Sequence, residues 1–149
     1  MPVRAGEITS QAGWPPATPV SELQRDIRDL QARGVRVSVF IEPEKDAVEW
    51  AASTGAARIE LYTEPFARAF KEGESQAETS FRKYVEAANV AHALGLGINA
   101  GHDLDLDNLT LFRGLPHLDE VSIGHALISH ALYVGLSQAV KDYLNACRL

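Results

Sequence analysis

Two glycine–histidine pairs carry the side chains best suited to chemistry in this sequence, Gly101-His102 within NAGHD and Gly124-His125 within SIGHA. Histidine is the residue type whose charge changes nearest neutral pH, so an imidazole held in a cleft can both give and take a proton. A glycine beside it lets ligand atoms approach the backbone. His102 is therefore a candidate general acid or base, and the competing reading is a solvated loop histidine. Gly124-His125 runs straight into a helical pattern, where free backbone N–H groups can hold an anion such as phosphate. The competing reading there is that Gly124 only permits a tight turn. Thr9 and Ser10 could bind substrate oxygens or satisfy local turn groups. Glu60 lies between Ile59 and Leu61 in a short apolar run, and a carboxylate there must find a partner or solvent inside the structure. His130 follows His125 by little more than one helical turn and could face the same pocket. His92 reads as packing and His117 as solvated. No Cys/His metal spacing, Walker-type loop or Gly-x-Ser-x-Gly elbow is present, so no metal site is expected.

The elements that must position these residues follow a β/α alternation. Strands are expected over 35–41 (VRVSVFI), 58–62 (RIELY), 97–100 and 120–123. The first is nearly continuous in apolar and β-branched residues, as where both faces of a sheet are covered. Helices are expected over 20–33, with Ser21 or Thr18 as cap, over 44–53 and over 65–71. A charged stretch, KEGESQ, then leads into the longest helix at 77–94, with Phe81, Val85, Ala88 and His92 on one face. A helix capped by Asp105 or Asp107 runs to about Gly114, and 126–148 is helical with a break near Gly135. Residues 4–19 read as a long loop. His102 and Gly124 thus fall at the C-terminal ends of strands, where β/α folds carry their function.

Composition frames this reading. The chain has 149 residues, 14 Lys+Arg against 20 Asp+Glu, and a net charge of -6, which weighs against nucleic-acid binding. One cysteine excludes an intrachain disulfide and fits a reducing, cytoplasmic setting. No apolar run reaches the length of a membrane span, and no signal peptide is expected. Parallel strands with flanking helices form either an open doubly wound sheet or a closed barrel. A barrel of eight units needs about 250 residues. Four strand–helix units preceded by one helix and one loop make up about half of that.

Taken together, ITSQAGW (8–14), VSVFIEP (37–43), IELYTEPFA (59–67), LGLGINAGHDL (94–104) and SIGHALIS (122–129) resemble the pyridoxine 5'-phosphate synthase family across essentially the whole chain. The resemblance implies a TIM (β/α)8 barrel with extra helices, of which residues 1–149 form one partial, C-terminal domain and 4–19 a substrate loop after a missing fourth strand. It implies an octamer built from dimers and no metal or organic cofactor. The reaction implied is condensation of 3-amino-2-oxopropyl phosphate with 1-deoxy-D-xylulose 5-phosphate, releasing phosphate and water. Matched residue by residue, His102 takes the place of the proton donor and Thr9 that of a substrate-binding threonine. Asp103 takes a substrate-contacting position, and Gly124 with His125 the phosphate-binding pair. Asp103 departs from the glycine often found there, and a carboxylate near a phosphate is repulsive unless it points away. Glu60 and His130 receive no role from the resemblance. The family's Asn-x-Asp-His motif, phosphate-binding arginine and second proton-transferring histidine and glutamate are absent, so the chain is expected to be a truncated form with an incomplete active site. Two rival readings are a non-catalytic, self-assembling half-barrel and another phosphosugar-handling β/α enzyme.

Overall fold

Alternation along the strands decides how the chain layers. The computed structural model describes residues 12–147. In it β1 (Ser38–Ile41), β2 (Arg58–Tyr62), β3 (Gly97–Gly101) and β4 (Leu118–Ser122) form one parallel sheet in the order β1-β2-β3-β4. Register aligns Val39, Ile59 and Ile98 in one row and Ile41, Leu61, Ala100 and Val121 in another. All but the half-buried Val121 in these rows are buried, and they form the core under the helices. Residues between them point to the opposite face, and there, Phe40 on β1 apart, the sheet is polar: Arg58 and Glu60 on β2, Asn99 on β3, Glu120 and Ser122 on β4. Only one face is therefore buried under helices, in contrast to the two covered faces expected from the run 35–41.

A sequential strand order is what separates a barrel from a doubly wound sheet. Parallel crossovers are almost always right-handed, so strands that follow one another in space as in sequence keep their helices on the same side. A doubly wound sheet reverses its order and uses both sides. The four strands are thus an arc of a TIM-type barrel, with helices outside and the polar face inside.

The outer layer comprises α1 (Ser21–Ala32), α2 (Lys45–Ser53), α3 (Glu64–Glu72), α4 (Glu74–Ala93), α5 (Leu109–Phe112), α6 (His125–Val134) and α7 (Leu136–Ala146). On α4 the buried positions are Ala77, Tyr84, Ala87, Ala88 and Ala91, four alanines around one tyrosine, and the alanines let the helix approach the sheet closely. His92 is not among them. It is exposed and stacks face to face on His117, with centroids 3.7 Å apart. Phe66, Tyr84 and Phe112 form an aromatic cluster with centroids 4.9 to 6.0 Å apart, and burying each stabilises the fold by roughly 1.5–3 kcal/mol.

Several boundaries differ from the sequence expectation. KEGESQ is almost all helix, because its Lys, Glu and Gln are good helix formers and only Gly73, at φ 136°, interrupts it. The helix expected to reach Gly114 shrinks to α5, since Asp105 Oδ1 accepts the N–H groups of Asp107 and Asn108 and makes a turn ahead of it. Val20, not Ser21 or Thr18, sits at the N-cap of α1, with no side-chain cap. The break at Gly135 is present, at φ 83°. Residues 12–14 run beside β1: Trp14 N donates to Phe40 O at 2.8 Å, and a Cβ on Gly13 would lie 2.4 Å from Ile41 Cα. Among the described residues, no helix is long and apolar enough to cross a membrane.

Candidate functional site

At the C-terminal ends of β2, β3 and β4 the polar face opens into a cavity of about 840 Å³. Glu60, His102, Asp103, Gly124 and His125 all line it, so five of the residues singled out above come together. Thr9 lies outside the described residues. His130 is not among the lining residues. Its Nε2 lies 2.9 Å from Asp142 Oδ2, tying α6 to α7, and that hydrogen bond, with a second from Gln138, holds the Asp142 carboxyl below its ordinary range.

His102 owes its place to the backbone. Side chains alternate along β3, and the residue after Gly101 would by alternation turn toward the helices. His102 and Asp103 instead adopt left-handed conformations, φ 83° and 58°. The imidazole is thereby brought to the inner face, against the rings of Phe40 (centroids 4.8 Å) and Tyr62 (5.2 Å). Asp103's φ explains why a glycine suits that position, and aspartate is among the residues that tolerate it. Asp103 is itself one of the residues lining the cavity.

Glu60 stands over Gly101. A Cβ on Gly101 would lie 2.5 Å from Glu60 Oε1 and 3.1 Å from Ser122 Cβ, so the glycine leaves room for the carboxylate where it stands and a larger residue would push it aside. Gly124 differs: its φ is -111° and a Cβ would meet nothing within 4 Å. Neither a special turn nor crowding by the described residues demands glycine there. Its missing side chain leaves the N-terminus of α6 open to the cavity. The first intrahelical bond of α6 runs from Ile128 N to Gly124 O, so the preceding N–H groups are available to an anion.

The wall is otherwise acidic. Glu60, Asp103 and Asp105 share it with Lys71, which comes from the end of α3 and has no carboxylate within 4.0 Å among the described residues. Burial first, and then the negative charges of Glu64, Glu42 and Asp103, push the Tyr62 phenol up. Sequence reading did not single out Lys71, Tyr62 or Ser122. Tyr62 and Ser122 close their strands, and that position was the available signal. Among the described residues, no group of three or more His, Cys, Asp or Glu side chains is arranged to hold a metal ion.

Comparison with known proteins fits this arrangement. The family described as pyridoxal phosphate biosynthesis protein PdxJ matches residues 1–149. The chain belongs to the PdxJ family. Among PdxJ relatives, the pyridoxine 5'-phosphate synthase of Christiangramia forsetii is 50% identical over 145 residues, 97% of this chain and 60% of that protein. The synthase of Cytophaga hutchinsonii is 52% identical over 145 residues, again 97% and 60%. That of Porphyromonas gingivalis is 52% identical over 137 residues, 91% and 56%. The chain thus spans about 60% of the length of these curated relatives.

Proposed function

We propose that the chain carries out part of pyridoxine 5'-phosphate synthesis, a ring-closing transferase-type reaction that condenses 3-amino-2-oxopropyl phosphate with 1-deoxy-D-xylulose 5-phosphate and releases phosphate and water. The observation that carries this reading is the convergence of His102, Glu60 and the open N-terminus of α6 on one cavity. Ring closure through imine formation and dehydration requires a group that protonates a departing hydroxyl, and in this reading His102 is that group. Glu60, which lines the same cavity, takes up a proton from the reacting carbon chain in this reading. The backbone N–H groups after Gly124, with His125, hold a substrate phosphate, which reconciles an anionic substrate with a net charge of -6. Thr9 and Asp103 complete the substrate contacts, with the Asp103 carboxylate turned from the phosphate.

Because the matched span is about 60% of the relatives, the chain alone is proposed to have little synthase activity. The test is to incubate it with both substrates, alone and with the remaining part of the Christiangramia forsetii relative, and to measure pyridoxine 5'-phosphate. Turnover only in the mixture, lost with His102→Ala, supports the reading. Turnover by the chain alone overturns its incompleteness, and none in a mixture of folded pieces counts against the synthase assignment. A cytoplasmic setting and a homo-oligomer belong to the same proposal. The oligomer is favoured by α6, which buries none of its residues and leaves Leu132 and Tyr133 83% and 89% exposed. Sedimentation as a monomer would remove that part.

A further inference from the structure

Burying a polar side chain is unfavourable unless its hydrogen bonds are made, so the few such residues show where a fold spends specificity. Among the described residues the buried polar side chains are Thr54, Thr63 and Asn108. Thr54 has a local task, bonding Ala51 O at 2.7 Å and receiving Ala56 N at 3.2 Å where α2 ends. The other two come from different elements and converge on the loop that carries His102. Thr63 follows β2. Its hydroxyl lies between the carbonyls of Gly101, at 2.6 Å, and His102, and its N–H also donates to Gly101 O at 2.9 Å. Asn108 precedes α5. Its Nδ2 donates to Asp103 O at 3.0 Å, and its Oδ1 accepts from Asp105 N at 3.0 Å.

The carbonyls taken up in this way are those of Gly101, His102 and Asp103, the last two belonging to the consecutive left-handed residues; Gly101 O already accepts the Thr63 N–H, which leaves the single Thr63 hydroxyl proton for His102 O. Outside glycine that conformation is disfavoured, and two in succession persist only where the surroundings hold them. Without it, strand alternation would send the imidazole toward the helices instead of onto Phe40 and Tyr62. We propose that Thr63 and Asn108 are positioning residues that grip the His102 and Asp103 carbonyls and so direct the His102 imidazole into the cavity. Its kinetic consequence rests on His102 being the proton donor, whereas its structural consequence does not.

The test separates the two. In the 149-residue chain, proton NMR contacts between the His102 imidazole and the rings of Phe40 and Tyr62 are compared for Thr63→Val, Thr63→Ser and Asn108→Asp. Valine keeps the bulk and loses the hydroxyl, serine keeps the hydroxyl, and aspartate keeps the acceptor but loses the donor. Thr63→Val is expected to lose these contacts, Thr63→Ser to retain them and Asn108→Asp to weaken them, with the His92 and His117 signals unmoved. Where synthase turnover is assembled, Thr63→Val should lower kcat by about tenfold or more, with KM within about twofold, and Thr63→Ser should restore it. Intact ring contacts in Thr63→Val, with only a lower melting temperature, overturn the proposal. If that variant does not fold, unchanged contacts in Asn108→Asp overturn it equally. Altered contacts with no change in kcat leave the positioning role standing and count against His102 as proton donor.

Discussion

Arg58 and Glu60 stand two residues apart on β2 and point to the same inner face, yet their surroundings are opposite. The Arg58 guanidinium is mostly buried and paired through one nitrogen: Nη1 donates to Asn99 Oδ1 at 2.9 Å and pairs with Asp119 at 3.0 Å and Glu120 at 3.8 Å. Glu120 is bound in turn by Arg36 at 2.6 Å. Asp119 also accepts Ile98 N at 2.9 Å, where the register of β3 and β4 shifts, so its carboxylate takes up a backbone group the irregularity would otherwise strand. Glu60 makes no ion pair among the described residues and stands at the cavity beside His102. One strand thus commits a charge to closing the N-terminal end of the sheet and leaves another at the C-terminal end. Ion pairs and cavity thus occupy opposite ends of one face, the ends to which barrel folds assign stability and chemistry respectively.

Substitutions can break this division, the largest effect first. In an assembly with turnover, His102→Ala should lower kcat by about 10²–10⁴, and Glu60→Gln by a comparable factor, with melting temperatures little changed. A large loss of stability in either would place that residue on the structural side. Gly101→Ala should displace the Glu60 carboxylate, because the new Cβ meets Oε1 at 2.5 Å, at little cost in stability, because that atom is the free end of a flexible side chain beside the cavity. Chemical denaturation and NMR signals from the Glu60 side chain check both parts. Arg58→Met should cost about 1–2 kcal/mol, limited by the partial exposure of its partners, while leaving anion binding at the cavity unchanged. Weakened phosphate binding in that variant would show that the two ends are coupled.

The smallest effect lies outside both ends. The hydrogen bond from His130 holds the Asp142 carboxyl below its ordinary value, so its contribution is present above the unfolded-state carboxylate pKa and lost as pH falls through the lower folded-state value. Asp142→Asn should flatten that part of the acid unfolding curve. An unaltered curve would remove the pair from the account.

The sequence made these ends unequally legible. RIELY displays its alternation openly, and the strand positions of His102 and Gly124 followed from the β/α rhythm. The polar inner face was obscured in 35–41, where Val39, Phe40 and Ile41 are consecutive apolar residues although Phe40 points inward, against His102 and Tyr62. His92 was misplaced because α4 packs through alanines, which carry little weight in a hydrophobic pattern. The left-handed turn at His102 had no local signal, since histidine and aspartate do not announce it as glycine does. Thr63 and Asn108, which grip that turn, become visible only when distant segments are brought together.

The central claim, that one cavity joins the open N-terminus of α6 to His102 as a phosphate site, is tested most directly by titrating the isotope-labelled chain with inorganic phosphate and following backbone and imidazole NMR signals. Saturable shifts at His125, Ala126, Leu127 and His102, with none at Arg36 or Arg58, are the result the account predicts. Shifts centred on Arg36 and Arg58, or no saturable response at the start of α6, would contradict it.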